Sequence, residues 1–289
     1  MHGIGSRNLS KEQLEEIHLL LSLHSELADA NAYNEEYLKQ VILRRISELH
    51  LSFSDYIKLL NRNADEVTAL AGAFLNSFSE FFRNPLSFSV LEKVILPAIV
   101  SNKLRKKNSE IRIWSAACAG GQEAYSLAMI VHEYLTDNNI KCRYRIFATD
   151  KSEAQLNIAR QGNYNAEALN NVTQGRVERW FTVSSGICSI KPELKNHIDF
   201  SVFNLLQSDM VCPPASIFGD FDLVFCANLL FYYKEAYREQ ILGNASHCIS
   251  DDGYFVTGET ERDMLSAAGY SEVFPLSAIF RLPAHAKYN

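Results

Sequence analysis

The spacing of apolar residues divides the chain into two parts. Up to about residue 80 they recur every three to four positions, and no alternation of strand type is seen. Leu14, Ile17, Leu20, Leu21 and Leu27 make one such stripe, and Ser10 with Gln13 ahead of it has the form of a capping box. A second helix is predicted from about Tyr33 to Leu49, with Leu38, Val41, Ile42, Ile46 and Leu49 on one face. Ser54 to Leu60 reads as a short third helix. Asn63 with Glu66 caps a fourth, which carries Val67, Leu70, Phe74 and Leu75. Asn84-Pro85 starts a further helix, since proline is tolerated at the first helical position. Pro97 is expected to kink that helix or end its first half.

From Ile111 onward strands and helices alternate, as in a parallel α/β sheet. Strands are predicted at 111–115, 144–149, 198–203, 222–226, 254–258 and about 276–282, with helices between most of them. The stretch 163–197 is too long for an ordinary connection. It is read as a small helical piece with a minor β-hairpin. The expected organisation is a helical domain over 1–80 and an α/β domain over 81–289, with a small reduced insertion at about 178–197.

The chemistry concentrates where the α/β pattern begins. Ile111 to Ser115 is apolar, Ala116 to Gly121 is small, and an amphipathic helix follows to Met129. A strand that runs through Gly120-Gly121 into a helix lets backbone approach a ligand closely and aims free N–H groups at it. The second strand, Tyr144 to Asp150, ends on an acid. In open α/β folds an acid there accepts hydrogen bonds from ribose hydroxyls.

Composition narrows the picture. The 289 residues are 47% hydrophobic and 21% charged, ordinary for a globular protein, and the net charge of −6 disfavours a general nucleic-acid or membrane-surface binder. No segment approaches the roughly 18 apolar residues that span a bilayer, and the first residues carry no apolar signal core. The six cysteines have no C-x-x-C spacing. They are read as small hydrophobes in a reducing cytoplasm. The eight histidines show no ligand spacing, and His18 and His24 lie six apart, so no metal is expected.

Six segments in order resemble the CheR-type chemotaxis-receptor glutamate methyltransferases. Ser79-Glu-Phe-Phe-Arg83 is similar to the family's T-x-F-F-R, and Arg112 to Ser126 resembles R-x-W-S-A-x-x-S-T-G-E-E-P-Y-S. Phe147-Ala-Thr-Asp150 matches the second strand and its acid. Phe200 to Leu205, Phe221 to Tyr232 and Asp252 to Glu261 resemble the N-L segment, F-D-x-I-x-C-R-N-V-x-I-Y and P-G-G-x-L-x-x-G-x-S-E. The similarity runs from about residue 33 to the C-terminus. The departures are Gln122 for one acid, Ala227 for an arginine and Ser77 for an asparagine.

The resemblance implies a class I methyltransferase fold, Rossmann-like with a mostly parallel sheet between helices, behind a small helical domain for acceptor recognition. It implies S-adenosylmethionine as cofactor, with S-adenosylhomocysteine as product. Ser77, Ser79, Arg83, Ala117, Gly121, Glu123, Asp150, Asn204, Leu205, Ala227 and Asn228 are then the cofactor-binding candidates. The methionine carboxylate falls to the helix N-terminus near Gly121, the ribose to Asp150, and the amino group to Glu123. Arg83 and Tyr232 are the catalytic candidates. The implied reaction is in-line attack of a protein glutamate on the sulfonium methyl. A glutamate near pKa 4.3 is already a nucleophile at neutral pH, so alignment matters and no general base is needed.

The implied acceptor is the cytoplasmic helical part of a chemoreceptor, met by Lys39, Arg44 and Arg45. Arg45 falls within the apolar stripe by helical angle, so an internal pair or snorkelling stands beside that role. Up to residue 75 there are seven Lys and Arg against eleven Asp and Glu, which argues for a patch rather than a field. Glu259 and Glu261 are read as solvated, and the basic run Lys103 to Lys107 as a solvated helix end. Two alternatives stand beside the enzyme: a regulatory protein that binds the cofactor without turnover, as Ala227 and Gln122 allow, and a methyltransferase with another acceptor.

Overall fold

The computed structural model describes residues 9–23, 30–74, 79–106, 110–206, 210–216 and 219–282. Leu27, Leu75 and Lys107 of the predicted pattern lie outside the described residues. The chain divides into two compact units: Met1–Asn76 with Phe231–Arg238, and Ser77–Leu230 with Glu239–Asn289.

The first unit is helical: α1 (Lys11–Leu23), α2 (Glu35–Glu48), α3 (Phe53–Leu60) and α4 (Ala64–Phe74). Each start is capped by a short polar side chain. Ser10 and Gln13 exchange hydrogen bonds as a capping box. Asn34 Oδ1 accepts from Tyr37 N–H, Ser52 Oγ from Asp55 N–H, and Asn63 Oδ1 from Asp65 and Glu66 N–H. Leu38, Val41, Ile42, Tyr56, Leu60, Val67 and Leu70 are buried between the helices. The segment Phe231–Arg238 joins this unit through an isolated bridge between Tyr33 and Tyr233, whose rings stack.

Arg45 turns inward. Its guanidinium donates to both oxygens of buried Glu66 at 3.1 and 2.6 Å, and Tyr56 adds its hydroxyl to the same carboxylate. This corrects the outward role given to Arg45: the fork is occupied by a planar bidentate partner inside the bundle. Arg44 stays exposed, bonded to the Ala73 carbonyl, and Lys39 is half-buried.

The second unit opens with α5 (Pro85–Val90) and α6 (Leu96–Arg105), joined by one wide π turn over Leu91–Ile95. The α-helical first half ends at Val90 and the α-helix resumes at Leu96, so the interruption expected from Pro97 takes the form of this π turn. The wider turn absorbs the ring and the missing N–H within a continuous helical path. Then follow β1 (Glu110–Ala116), α7 (Gln122–Asp137), β2 (Arg143–Asp150), α8 (Glu153–Gln161), β3 (Asn163–Asn165), α9 (Gln174–Trp180), β4 (Phe181–Ser184), β5 (Ile187–Ile190), α10 (Pro192–Lys195), β6 (Ile198–Val202), β7 (Phe221–Phe225), α11 (Glu235–His247), β8 (Ile249–Val256), α12 (Arg262–Ala267), β9 (Ser271–Glu272) and β10 (Ile279–Arg281).

The main sheet has the order β6-β2-β1-β7-β8-β10-β9. The five strands from β6 to β8 are parallel, and β10 closes antiparallel on β8. β7 is buried along its whole length and β1 along most of its length, as central strands of a sheet covered on both faces are. Strand order reverses at β1, so the crevice lies outside the carboxyl ends of β1 and β7. The insertion is a three-stranded antiparallel sheet, β3-β5-β4, one strand more than the predicted hairpin.

Two sequence expectations are corrected here. Lys103 is buried, paired at 2.8 Å with buried Asp222, because α6 packs on β1 beside the start of β7. Cys212 and Cys248 are disulfide-bonded across 36 residues, whereas Cys118, Cys142, Cys188 and Cys226 are not part of a disulfide. No helix among the described residues is long and apolar enough to cross a membrane.

Candidate functional site

The carboxyl ends of the parallel strands carry Ala117, Gly121, Asp150, Asn204, Leu205, Ala227 and Asn228 of the predicted residues. After β1 the chain takes left-handed backbone at Ala117 (φ 62°), Ala119 (φ 46°) and Gly121 (φ 89°). Such angles cost a non-glycine residue about 1–2 kcal/mol, so the loop needs outside support. Cys118 N–H donates to Thr149 O, Ala119 N–H to Asp150 Oδ2 at 2.9 Å, and the Tyr164 hydroxyl to Gly120 O at 2.7 Å.

Gly121 opens α7, and a Cβ there would lie 2.7 Å from the Ala159 methyl. Gly121→Ala is expected to destabilise the protein by about 1–2 kcal/mol from the left-handed backbone alone. Urea unfolding beside wild type measures it, and an unchanged midpoint would contradict the crowding described. Gln122, the first residue of α7, holds its Oε1 buried with no hydrogen-bond partner.

Two carboxylates flank the loop. Asp150 accepts from Ser152 N–H through Oδ1 and from Ala119 N–H through Oδ2. Burial raises its pKa above the usual aspartate value, against the pull of those two backbone donors. Glu123 accepts the Ser115 hydroxyl at 2.6 Å. Desolvation pushes its carboxyl up to about 8, while the Ser115 bond and the Arg83 charge oppose the shift.

The remaining candidates line neighbouring strand ends. Arg83 lies in the turn before α5, close enough for its charge to act on Glu123. That turn is tied down by Phe82 N–H on Ser126 Oγ, with Phe81 buried against Tyr164. Ser79 is half-buried at the start of the same segment. Asn204 follows β6 and caps Leu206 N–H, and Leu205 beside it is buried. Ala227 and Asn228 follow β7, Asn228 with left-handed backbone (φ 60°).

Ser77 lies outside the described residues. Tyr232 belongs to the helical unit, where its ring meets Tyr37 and its carbonyl accepts Asn34 N–H.

Residues 77–277 match the CheR methyltransferase SAM-binding domain. The chain belongs to the CheR methyltransferase family. A chemotaxis protein methyltransferase of Borreliella burgdorferi is 30% identical over 234 residues, which cover 78% of this chain and 81% of that protein. That of Escherichia coli is 30% identical over 227 residues, covering 76% and 74%. Chemotaxis protein methyltransferase 1 of Pseudomonas aeruginosa is 34% identical over 185 residues, covering 63% and 64%. S-adenosylmethionine is the cofactor of this CheR domain.

The sequence missed four supports of this CheR site: Ser115, Ser126, Tyr164 and Glu261. Ser115 alone carried a local signal, a polar residue facing inward from an apolar strand. Glu261 corrects the solvated reading. It is fully buried, whereas Glu259 is exposed as expected. Among the described residues no group of three His, Cys, Asp or Glu is arranged to hold a metal ion.

Proposed function

We propose that this protein methylates glutamate side chains on the cytoplasmic helices of a chemoreceptor. The observation that carries this is the convergence of a left-handed Gly121 loop, the α7 N-terminus and the Asp150 carboxylate at one switch point of the sheet. These residues fit the cofactor. Asp150 uses one lone pair of each oxygen on backbone and keeps others for ribose hydroxyls. The free N–H groups of the α7 N-terminus at Gly121 suit an incoming carboxylate, and the unpartnered Gln122 Oε1, an acceptor only, suits a donor group of the cofactor. Glu123 supplies a carboxylate for an ammonium. Ser79, Arg83, Ala117, Asn204, Leu205, Ala227 and Asn228 complete the wall.

When bound, the cofactor supplies an electrophilic methyl group. The chain's own task is to hold it, exclude water and present the acceptor carboxylate in line. A glutamate ionised at neutral pH needs no base. Arg83 brings positive charge toward Glu123, and Tyr232, on the helical unit, is the candidate for contact with the acceptor protein. Lys39 and Arg44 on α2 are the cations for an acidic receptor helix.

The test is transfer of labelled methyl from S-adenosylmethionine to receptor-containing membranes. The expected product is label on the receptor band that base releases as methanol, as a carboxyl methyl ester requires. Ala227 and Gln122 favour a cofactor-binding regulator as the second reading. Tight S-adenosylhomocysteine binding without any transfer would establish that instead. Label confined to other proteins would overturn the receptor as acceptor.

A further inference from the structure

We infer that Glu261 is a positioning residue for the methyl-transfer site, acting through the backbone of the turn that carries Asn228. Four groups donate to its buried carboxylate. Asn228 N–H reaches Oε2 at 2.9 Å, Leu230 N–H reaches Oε1 at 2.6 Å, Gly258 N–H reaches Oε2 at 2.8 Å, and the Thr257 hydroxyl reaches Oε2 at 2.7 Å. The side chain is 0% exposed.

This carboxylate does what a strand neighbour cannot. β7 ends at Phe225, and Cys226 N–H still bonds to Val256 O on β8. Beyond that point the ladder stops, and the turn must run left-handed at Asn228 (φ 60°). Its N–H groups point at the end of β8, where no carbonyl meets them. The Glu261 carboxylate fills that role with two oxygens and bridges the ends of β7 and β8. A buried N–H without an acceptor is costly, so the turn is held only while the acceptor stays.

Gly258 completes the device. A Cβ there would sit 2.9 Å from Asn228 N and 3.0 Å from Asn228 Oδ1, so the turn lies directly against bare backbone. Asn228 is thus fixed through its backbone and its side-chain oxygen, and Ala227 beside it follows β7 at the carboxyl edge of the sheet. The inference rests on the proposal that Asn228 and Ala227 wall the cofactor site. Glu261 itself touches neither cofactor nor acceptor in it.

The test compares wild type, Glu261→Gln and Thr257→Val by calorimetry with S-adenosylhomocysteine, by kcat and KM for methyl transfer, and by thermal unfolding. An amide presents a donor to at least one of the four donors. The expected result for Glu261→Gln is about tenfold weaker S-adenosylhomocysteine binding and a matching rise in KM for the cofactor, with the KM for receptor unchanged. Thr257→Val, which removes only the hydroxyl donor, is expected to move the same quantities in the same direction by about threefold. It decides the matter if Glu261→Gln does not fold. Either variant folded with wild-type affinity would overturn the role, and so would lowered thermal stability at unchanged affinity. Wild type that fails to bind S-adenosylhomocysteine would instead overturn the cofactor site itself, and the role with it.

Discussion

Asp150→Ala is expected to lose S-adenosylhomocysteine binding by a hundredfold or more. Two ribose hydroxyls donating to a carboxylate are charge-assisted bonds, each worth about 1.5–3 kcal/mol. The same carboxylate also holds Ala119 N–H, and with it the left-handed stretch of the loop. Alanine removes the ligand's acceptor and the loop's support together. Asparagine at this position separates them poorly, because an amide that keeps its oxygen on Ser152 turns NH₂ toward Ala119 N–H. Asp150→Asn is therefore expected to fall between wild type and Asp150→Ala. Calorimetric titration, with a thermal melt to establish folding, makes the comparison. A folded Asp150→Ala that binds within threefold of wild type would remove Asp150 from the site.

The affinity of wild type for S-adenosylhomocysteine is expected to rise with pH. Glu123 titrates near 8 instead of the ordinary 4.5, chiefly through desolvation. Folding therefore favours its protonated form. The stability this gives is fully present below the unfolded value of 4.5 and is lost as pH rises through about 8. A ligand ammonium has the opposite preference and needs the carboxylate ionised. Between pH 6 and 8 the ionised fraction rises roughly fiftyfold for a group titrating at 8, and affinity should follow it. Binding at pH 7 should release close to one proton, visible as a dependence of the calorimetric heat on the buffer. Glu123→Gln should bind weakly with a flat profile over this range. A wild-type affinity that falls with pH would mean that Glu123 stays protonated in the complex and does not hold the ammonium.

Much of this site was legible because its signals are local. The small residues Ala117 to Gly121 lie between a strand and a helix, and Gly121 takes there the left-handed backbone that favours glycine. Asp150 was legible as an acid at a strand end. The helix starts at Ser10, Asn63 and Asn84 were readable from their caps and from Pro85. What failed was long-range. Lys103 looked solvated until β7 brought Asp222 to it. Glu261 looked solvated because its partners Asn228 and Leu230 lie more than thirty positions away and offer backbone only. Arg45 was ambiguous by helical angle, and Glu66 on another helix decided it. The start of β8 was missed for a different reason. Ser250-Asp-Asp-Gly253 has the composition of a turn, yet it continues the strand where the register with β7 shifts.

The Tyr164 hydroxyl on Gly120 O joins the small β3-β5-β4 sheet to the loop after β1. The phenol is rigid and wedged by Phe81 and Tyr125, so it behaves as a strut rather than a tether. The loop after β1 therefore has one of its carbonyls satisfied from the small sheet and not from its own helix or strand. The insertion, which in sequence resembles a surface appendage, is thus part of what holds the loop after β1 in its left-handed course.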